Sequence, residues 1–141
     1  MAPHTVINNV ASAKMSIPYS VAVAIITGKA GMDEYSLKYI NDVDLSLLVA
    51  KVNVLSDDKF TAQFPTKSIS SIEIMLKDGS TLFEQVDLPK GEPENPLSNN
   101  EIDNKFMSLS EYAGVEERKA VRIMDTVKNL DEELENLYDL L

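Results

Sequence analysis

The stretch from Ile72 to Leu88 limits the chain to folds that hold an antiparallel sheet. Ile72, Ile74 and Leu76 alternate with Glu73, Met75 and Lys77, the period of two that a half-buried strand shows. Asp78-Gly79 follows, the dipeptide favoured by a two-residue type I′ turn because both central residues there take positive φ. A return strand from about Thr81 to Leu88, ended by Pro89, completes a hairpin. Val52 and Val54, then Phe60, Ala62 and Phe64 before Pro65, also alternate and predict further strands. A sheet of three to four strands is the expectation.

Helical signals flank it on both sides. Ser16 is a candidate N-cap, Pro18 suits a first turn and Gly28 a stop, which predicts a helix over Ile17 to Thr27. Val21, Val23, Ile25 and Ile26 are β-branched and leave a buried strand as the rival, but the Pro18 start and the Gly28 stop favour the helix. Short helices are predicted near Asp33 to Ile40 and near Asp44 to Lys51. Pro89 to Ser98 holds three prolines and one glycine and reads as a rigid, extended loop. Ser98 with Glu101 then forms a capping box, and Ile102, Phe106 and Leu109 mark the apolar stripe of a helix that Gly114 stops. A further helix from Val115 to about Leu130 is expected to bury Ala120, Ile123, Met124 and Val127, and a last one Leu134, Leu137, Tyr138 and Leu141. Helices, antiparallel strands, helices is an α+β order, with the helices expected on one face of the sheet. At 141 residues, one domain over 1–141 is expected, with 1–10 a flexible N-terminus.

Charge removes several classes of partner. The net charge is −10, the eight lysines up to Lys90 stand singly, and residues 91–141 carry 13 acids against 5 bases. Such a chain repels phosphate, so neither nucleic acid nor an anionic membrane is an expected partner. No cysteine is present, which removes disulfides, thiolate metal sites and a cysteine nucleophile. Val21 to Ile26 is far shorter than a bilayer span, and the first residues lack a secretory pattern, so a cytoplasmic protein is expected.

Few residues offer chemistry. His4 is the sole histidine and lies at the N-terminus. Gly28 and Gly31 are too sparse for a dinucleotide fingerprint, and no Gly-Lys-Ser/Thr occurs. Asp57-Asp58, Glu116-Glu117 and Asp131 to Glu133 read as solvated or helix-start charge, since neighbours on a helix diverge by about 100°. No metal site and no cofactor are expected. Ser12 to Ala24 is different: Lys14, Ser16, Tyr19 and Ser20 gather polar groups at the mouth of an apolar helix. An ammonium, a phenol and a helix start there could hold a carboxylate. The structural alternative is that Ser16 caps, Tyr19 packs with its hydroxyl satisfied and Lys14 is solvated.

Two motifs carry a resemblance. Pro89-Lys-Gly-Glu-Pro-Glu-Asn-Pro-Leu-Ser with Glu101-Ile and Lys105-Phe106 resembles the C-terminal signature of the MmgE/PrpD family, which includes 2-methylcitrate dehydratase, cis-aconitate decarboxylase and iminodisuccinate epimerase. Ala13-Lys-Met-Ser-Ile-Pro-Tyr-Ser-Val-Ala, Gly28 and the Asp78-Gly79 hairpin fall in that family's order. The resemblance runs from about Ala13 to the last helix.

The resemblance implies the small α+β domain of a cofactor-independent lyase or isomerase of small di- or tricarboxylates. In family members a large helical domain precedes this one, so the implied partner is such a domain, in the parent chain or as a separate subunit. Tyr19 aligns with a tyrosine that faces the substrate pocket in decarboxylase-like members, which makes it the catalytic candidate, with Lys14 and Ser16 as substrate-binding neighbours. Family members often carry glutamine where Pro18 stands. Proton transfer next to a carboxylate needs a titratable base, and this chain supplies none, so alone it is expected to be inactive. The rival reading is a non-catalytic interaction or regulatory module, a free-standing remnant or subunit of such an enzyme. An open apolar face around Val21 to Ile26 would mark a missing partner, and a homodimer is a second way to cover it.

Overall fold

The computed structural model describes residues 6–130, and its chain falls into two compact units, residues 1–55 with 107–141, and residues 56–106. His4 and the helix expected to bury Leu134, Leu137, Tyr138 and Leu141 lie outside the described residues. Helices and an antiparallel sheet are both present, so the class is α+β.

The first unit is helical. Helix α1 (Val10–Lys14) starts at Asn9, whose side chain accepts from the Ser12 amide while the Ser12 hydroxyl accepts from the Asn9 amide, a reciprocal cap. Sequence reading had no signal for it, because five residues are too few to show a period. Helix α2 (Ile17–Thr27) runs over the expected residues: Ser16 caps it, Pro18 sits in its first turn, and Gly28 ends it at φ 73°. The helix expected from Asp33 to Ile40 is broken by Ser36, whose ψ of 163° leaves a 3₁₀ turn (Asp33–Tyr35) before α3 (Leu37–Ile40). Helix α4 (Val43–Val49) follows, capped by Asp42. Ala13, Tyr19, Ala22, Val23, Ile40, Leu45 and Val49 form the buried core, with Ile7, Val10, Tyr35, Tyr39 and Leu48 packed against it. Ile7 and Val10 thus belong to the packing, although they fall in the stretch expected to be flexible.

The second unit corrects the strand count. Strands β1 (Ser70–Met75) and β2 (Thr81–Val86) form an antiparallel pair, with Ile72 opposite Glu84 and Ile74 opposite Leu82; among the described residues these are the two strands. Val52 and Val54 lie in irregular chain, and Phe60 sits in helix α5 (Asp58–Thr61). The cause is Asp57, whose carboxylate accepts from the amides of Lys59 and Phe60 and turns the backbone into a helix start. Within this unit, the helix cover expected on one face of the sheet is not found among the described residues. Every residue of β2 is exposed, and on β1 only Ile72 and Ile74 are half-buried.

Two turns also differ from expectation. Leu76 and Ser80 bond across a three-residue loop, the Leu76 amide donating to the Ser80 carbonyl at 2.8 Å. Gly79 alone takes positive φ, 86°, so the turn is not type I′. The proline-rich loop is turned, not extended. Gly91 at φ 102° lets its amide donate to the Asn95 carbonyl at 2.8 Å, and the Asn95 side chain donates to the Leu88 carbonyl.

Helix α6 (Asn99–Tyr112) begins at the expected capping box. Ser98 and Glu101 exchange bonds through both side chains. Its stripe is little buried: Ile102 and Leu109 are exposed and Phe106 half-buried. In α7 (Glu117–Lys128), Ala120 is buried, Ile123 and Met124 are half-buried, and Val127 is exposed against expectation. Among the described residues no helix is long and apolar enough to cross a membrane.

Candidate functional site

The polar residues picked out between Lys14 and Ser20 sit where α1 gives way to α2, and the structure separates their roles. Lys14 ends α1 with an exposed side chain. Ser16 is buried, and its hydroxyl accepts from the Tyr19 amide at 3.2 Å. Its carbonyl accepts from the Ser20 amide and from the Ser20 hydroxyl, each at 3.0 Å. Ser16 is therefore engaged in holding the helix start together.

Tyr19 lies three residues into α2, on the face that turns into the core, and is 1% exposed. Its hydroxyl donates to the backbone carbonyl of Glu34 at 2.6 Å, and its ring meets that of Tyr35 with centroids 5.4 Å apart. Burial pushes its phenol above the usual value of 10.0, and the nearby Tyr35, Glu34 and Tyr39 push the same way. A phenol held neutral is a hydrogen-bond donor, and this one gives its proton to the chain's own backbone.

Tyr35, half-buried, makes a different bond. Its hydroxyl lies 2.8 Å from that of Ser20. Ser20 has one hydroxyl proton, and the Ser16 carbonyl receives it, so Tyr35 is the donor of the pair. A directed chain results, from Tyr35 to Ser20 to the Ser16 carbonyl. Glu34, buried beside it, accepts from the Gly31 amide at 2.9 Å through one carboxylate oxygen. Glu34 and Tyr35 escaped the sequence reading. Their partners are 15 residues away, and no local pattern announces a bond to a distant carbonyl.

The cavity beside Tyr19, lined by Ile7, Ile40, Leu45, Ser46 and Val49, holds about 60 Å³. Small-molecule pockets are several times larger, roughly 300 Å³ and above. Among the described residues no three histidine or acidic side chains gather as metal ligands. Of the sequence-picked residues, Ser16 and Tyr19 are brought together by the helix cap, while Lys14 projects into solvent.

A buried tyrosine on a capped apolar helix, an antiparallel hairpin and a turned proline-rich loop make up a small α+β chain. Residues 2–131 match the MmgE/PrpD C-terminal domain, and the chain belongs to that family. The mitochondrial 2-methylcitrate dehydratase of Yarrowia lipolytica (strain CLIB 122 / E 150) is 32% identical over 90 residues, 60% of this chain. The chain spans 17% of that relative's length.

Proposed function

We propose that this chain serves as the C-terminal domain of a 2-methylcitrate dehydratase-like lyase or isomerase of small di- or tricarboxylates, closing the active site against a helical domain. The observation that carries the reading is the outer face of α2. Ile17 and Ile25 are 54% and 46% exposed, while Tyr19, Ala22 and Val23 on the opposite side of the same helix are buried. A helix apolar on both faces is built to be covered on both, and in this reading the helical domain covers the second. Tyr19, Ser16 and Lys14 are the proposed contributions to the site: Ser16 sets the helix start, Tyr19 anchors it, and Lys14 offers the exposed charge for a carboxylate. The base comes from the partner. A homodimer would cover the same face, and the cytoplasm is the proposed location.

The non-catalytic alternative draws support from the Tyr19 hydroxyl, which donates to the backbone carbonyl of Glu34 and not outward. One experiment separates the two. A fusion in which this chain replaces the matching segment of the Yarrowia lipolytica protein is expected to dehydrate 2-methylcitrate. A fusion that folds and melts cooperatively but shows no turnover above the buffer rate overturns the enzyme reading.

A further inference from the structure

We infer that Tyr35, backed by Ser20, is the phenol through which this domain meets a substrate carboxylate, and that Tyr19 is a positioning residue behind it. The inference rests on the proposed enzyme reading and adds the residue that touches the ligand. Three observations lead to it. The first is exposure: Tyr19 is 1% exposed and Tyr35 only half-buried, so a ligand approaching this unit from solvent meets the second ring before the first.

The second concerns what each phenol leaves behind when its proton is redirected. Turning the Tyr19 hydroxyl to a ligand strips a buried backbone carbonyl of its donor, and an orphaned buried acceptor is costly. Turning the Tyr35 hydroxyl away costs little by comparison. Ser20 is half-buried, keeps its own bond to the Ser16 carbonyl, and loses only an accepted proton. Exchange of a neutral hydroxyl partner for an anionic oxygen is favourable, because hydrogen bonds to charged acceptors are the stronger kind.

The third is the ground on which the pair stands. Ile17, Ser20, Val21, Ala24 and Ile25 follow one another at helical spacing along α2, and none of them is fully buried. Ser20 is the one hydroxyl in that stripe. With the stripe covered, the Tyr35–Ser20 pair would be a polar point in apolar surroundings, a donor that a carboxylate arriving there needs in place of the water it gives up. Tyr19 then acts at one remove. Its bond to the Glu34 carbonyl holds the turn Asp33–Tyr35, and with it the ring of Tyr35, against α2.

The test uses the fusion described above with 2-methylcitrate as the probe. Activity of the unsubstituted fusion decides the enzyme reading, and its absence overturns this inference together with that reading. In an active fusion, Tyr35→Phe is expected to raise KM roughly 10-fold to 100-fold, with the melting temperature held within a few degrees. Ser20→Ala should raise KM by a smaller factor in the same direction. Tyr19→Phe should lower the melting temperature first. An active fusion in which Tyr35→Phe leaves KM within about twofold overturns the inference and leaves the enzyme reading standing. So does one in which Tyr19→Phe raises KM without any loss of melting temperature.

Discussion

The hydroxyl of Tyr19 donates to the carbonyl of Glu34 across 2.6 Å, tying the first turn of α2 to a 3₁₀ turn 15 residues further on. Both partners are buried, so Tyr19→Phe leaves an acceptor that water does not reach. The expected cost is about 1 to 3 kcal/mol, the range for a buried group stripped of its partner. Denaturant melts of the two proteins give the number. A loss well under 1 kcal/mol would mean that the Glu34 carbonyl finds water or another donor.

The same burial predicts how the domain behaves in alkali. Tyr19 ionises above the usual 10.0 because a buried phenolate is poorly solvated. The folded-state pKa is raised over the unfolded one, so the contribution of this group to stability is complete below pH 10.0 and is lost as pH rises through the folded value. Near-ultraviolet absorbance should show a phenol that titrates above 10.0. In Tyr19→Phe that step should vanish.

What sequence reading recovered here is local chemistry. The span of α2, the capping box of Ser98 with Glu101 and the position of the hairpin each rest on residues within a few places of one another, where backbone preference decides. The errors came where a longer-range or side-chain effect overruled the pattern. Phe60, Ala62 and Phe64 alternate, yet Asp57 supplies a cap and the segment winds into α5. Ile102, Leu109 and Val127 mark helical stripes correctly, yet they stay exposed, because periodicity shows a face without saying what covers it. At the candidate site Ser16 and Tyr19 could be picked out from the helix start. Glu34 and Tyr35 could not, since their bonds depend on how the chain returns after Gly28.

Acid should release the start of α6 late. Bonds from the Ser98 hydroxyl and amide, with Lys90 beside them, lower the Glu101 carboxyl from 4.5 to about 2. A depressed folded-state pKa contributes stability above the unfolded value, lost as pH falls from 4.5 through about 2. The Glu101 side-chain carbon should therefore titrate with a midpoint near 2. In Ser98→Ala that midpoint should rise, because the first and largest cause of the shift is gone.

The hairpin loop offers a test with two arms. Gly79 holds φ 86° with nothing within 4 Å of the place a Cβ would occupy, so substitution there meets backbone strain and no steric wall. Gly79→Val should destabilise the protein by about 1 kcal/mol or more, since a β-branched residue adopts that conformation poorly. Asp78 separates the three-residue loop from a type I′ turn. In a type I′ turn Asp78 would also carry positive φ, and Asp78→Gly would relieve strain. Here the Asp78 carboxylate accepts from the Ser80 amide at 2.9 Å and from the Ser80 hydroxyl at 2.6 Å, bonds that also hold its carboxyl below the usual range. Asp78→Gly removes both bonds and adds chain entropy to the unfolded state. It should therefore lower the melting temperature, as Gly79→Val does, and a rise on Asp78→Gly would contradict the loop geometry.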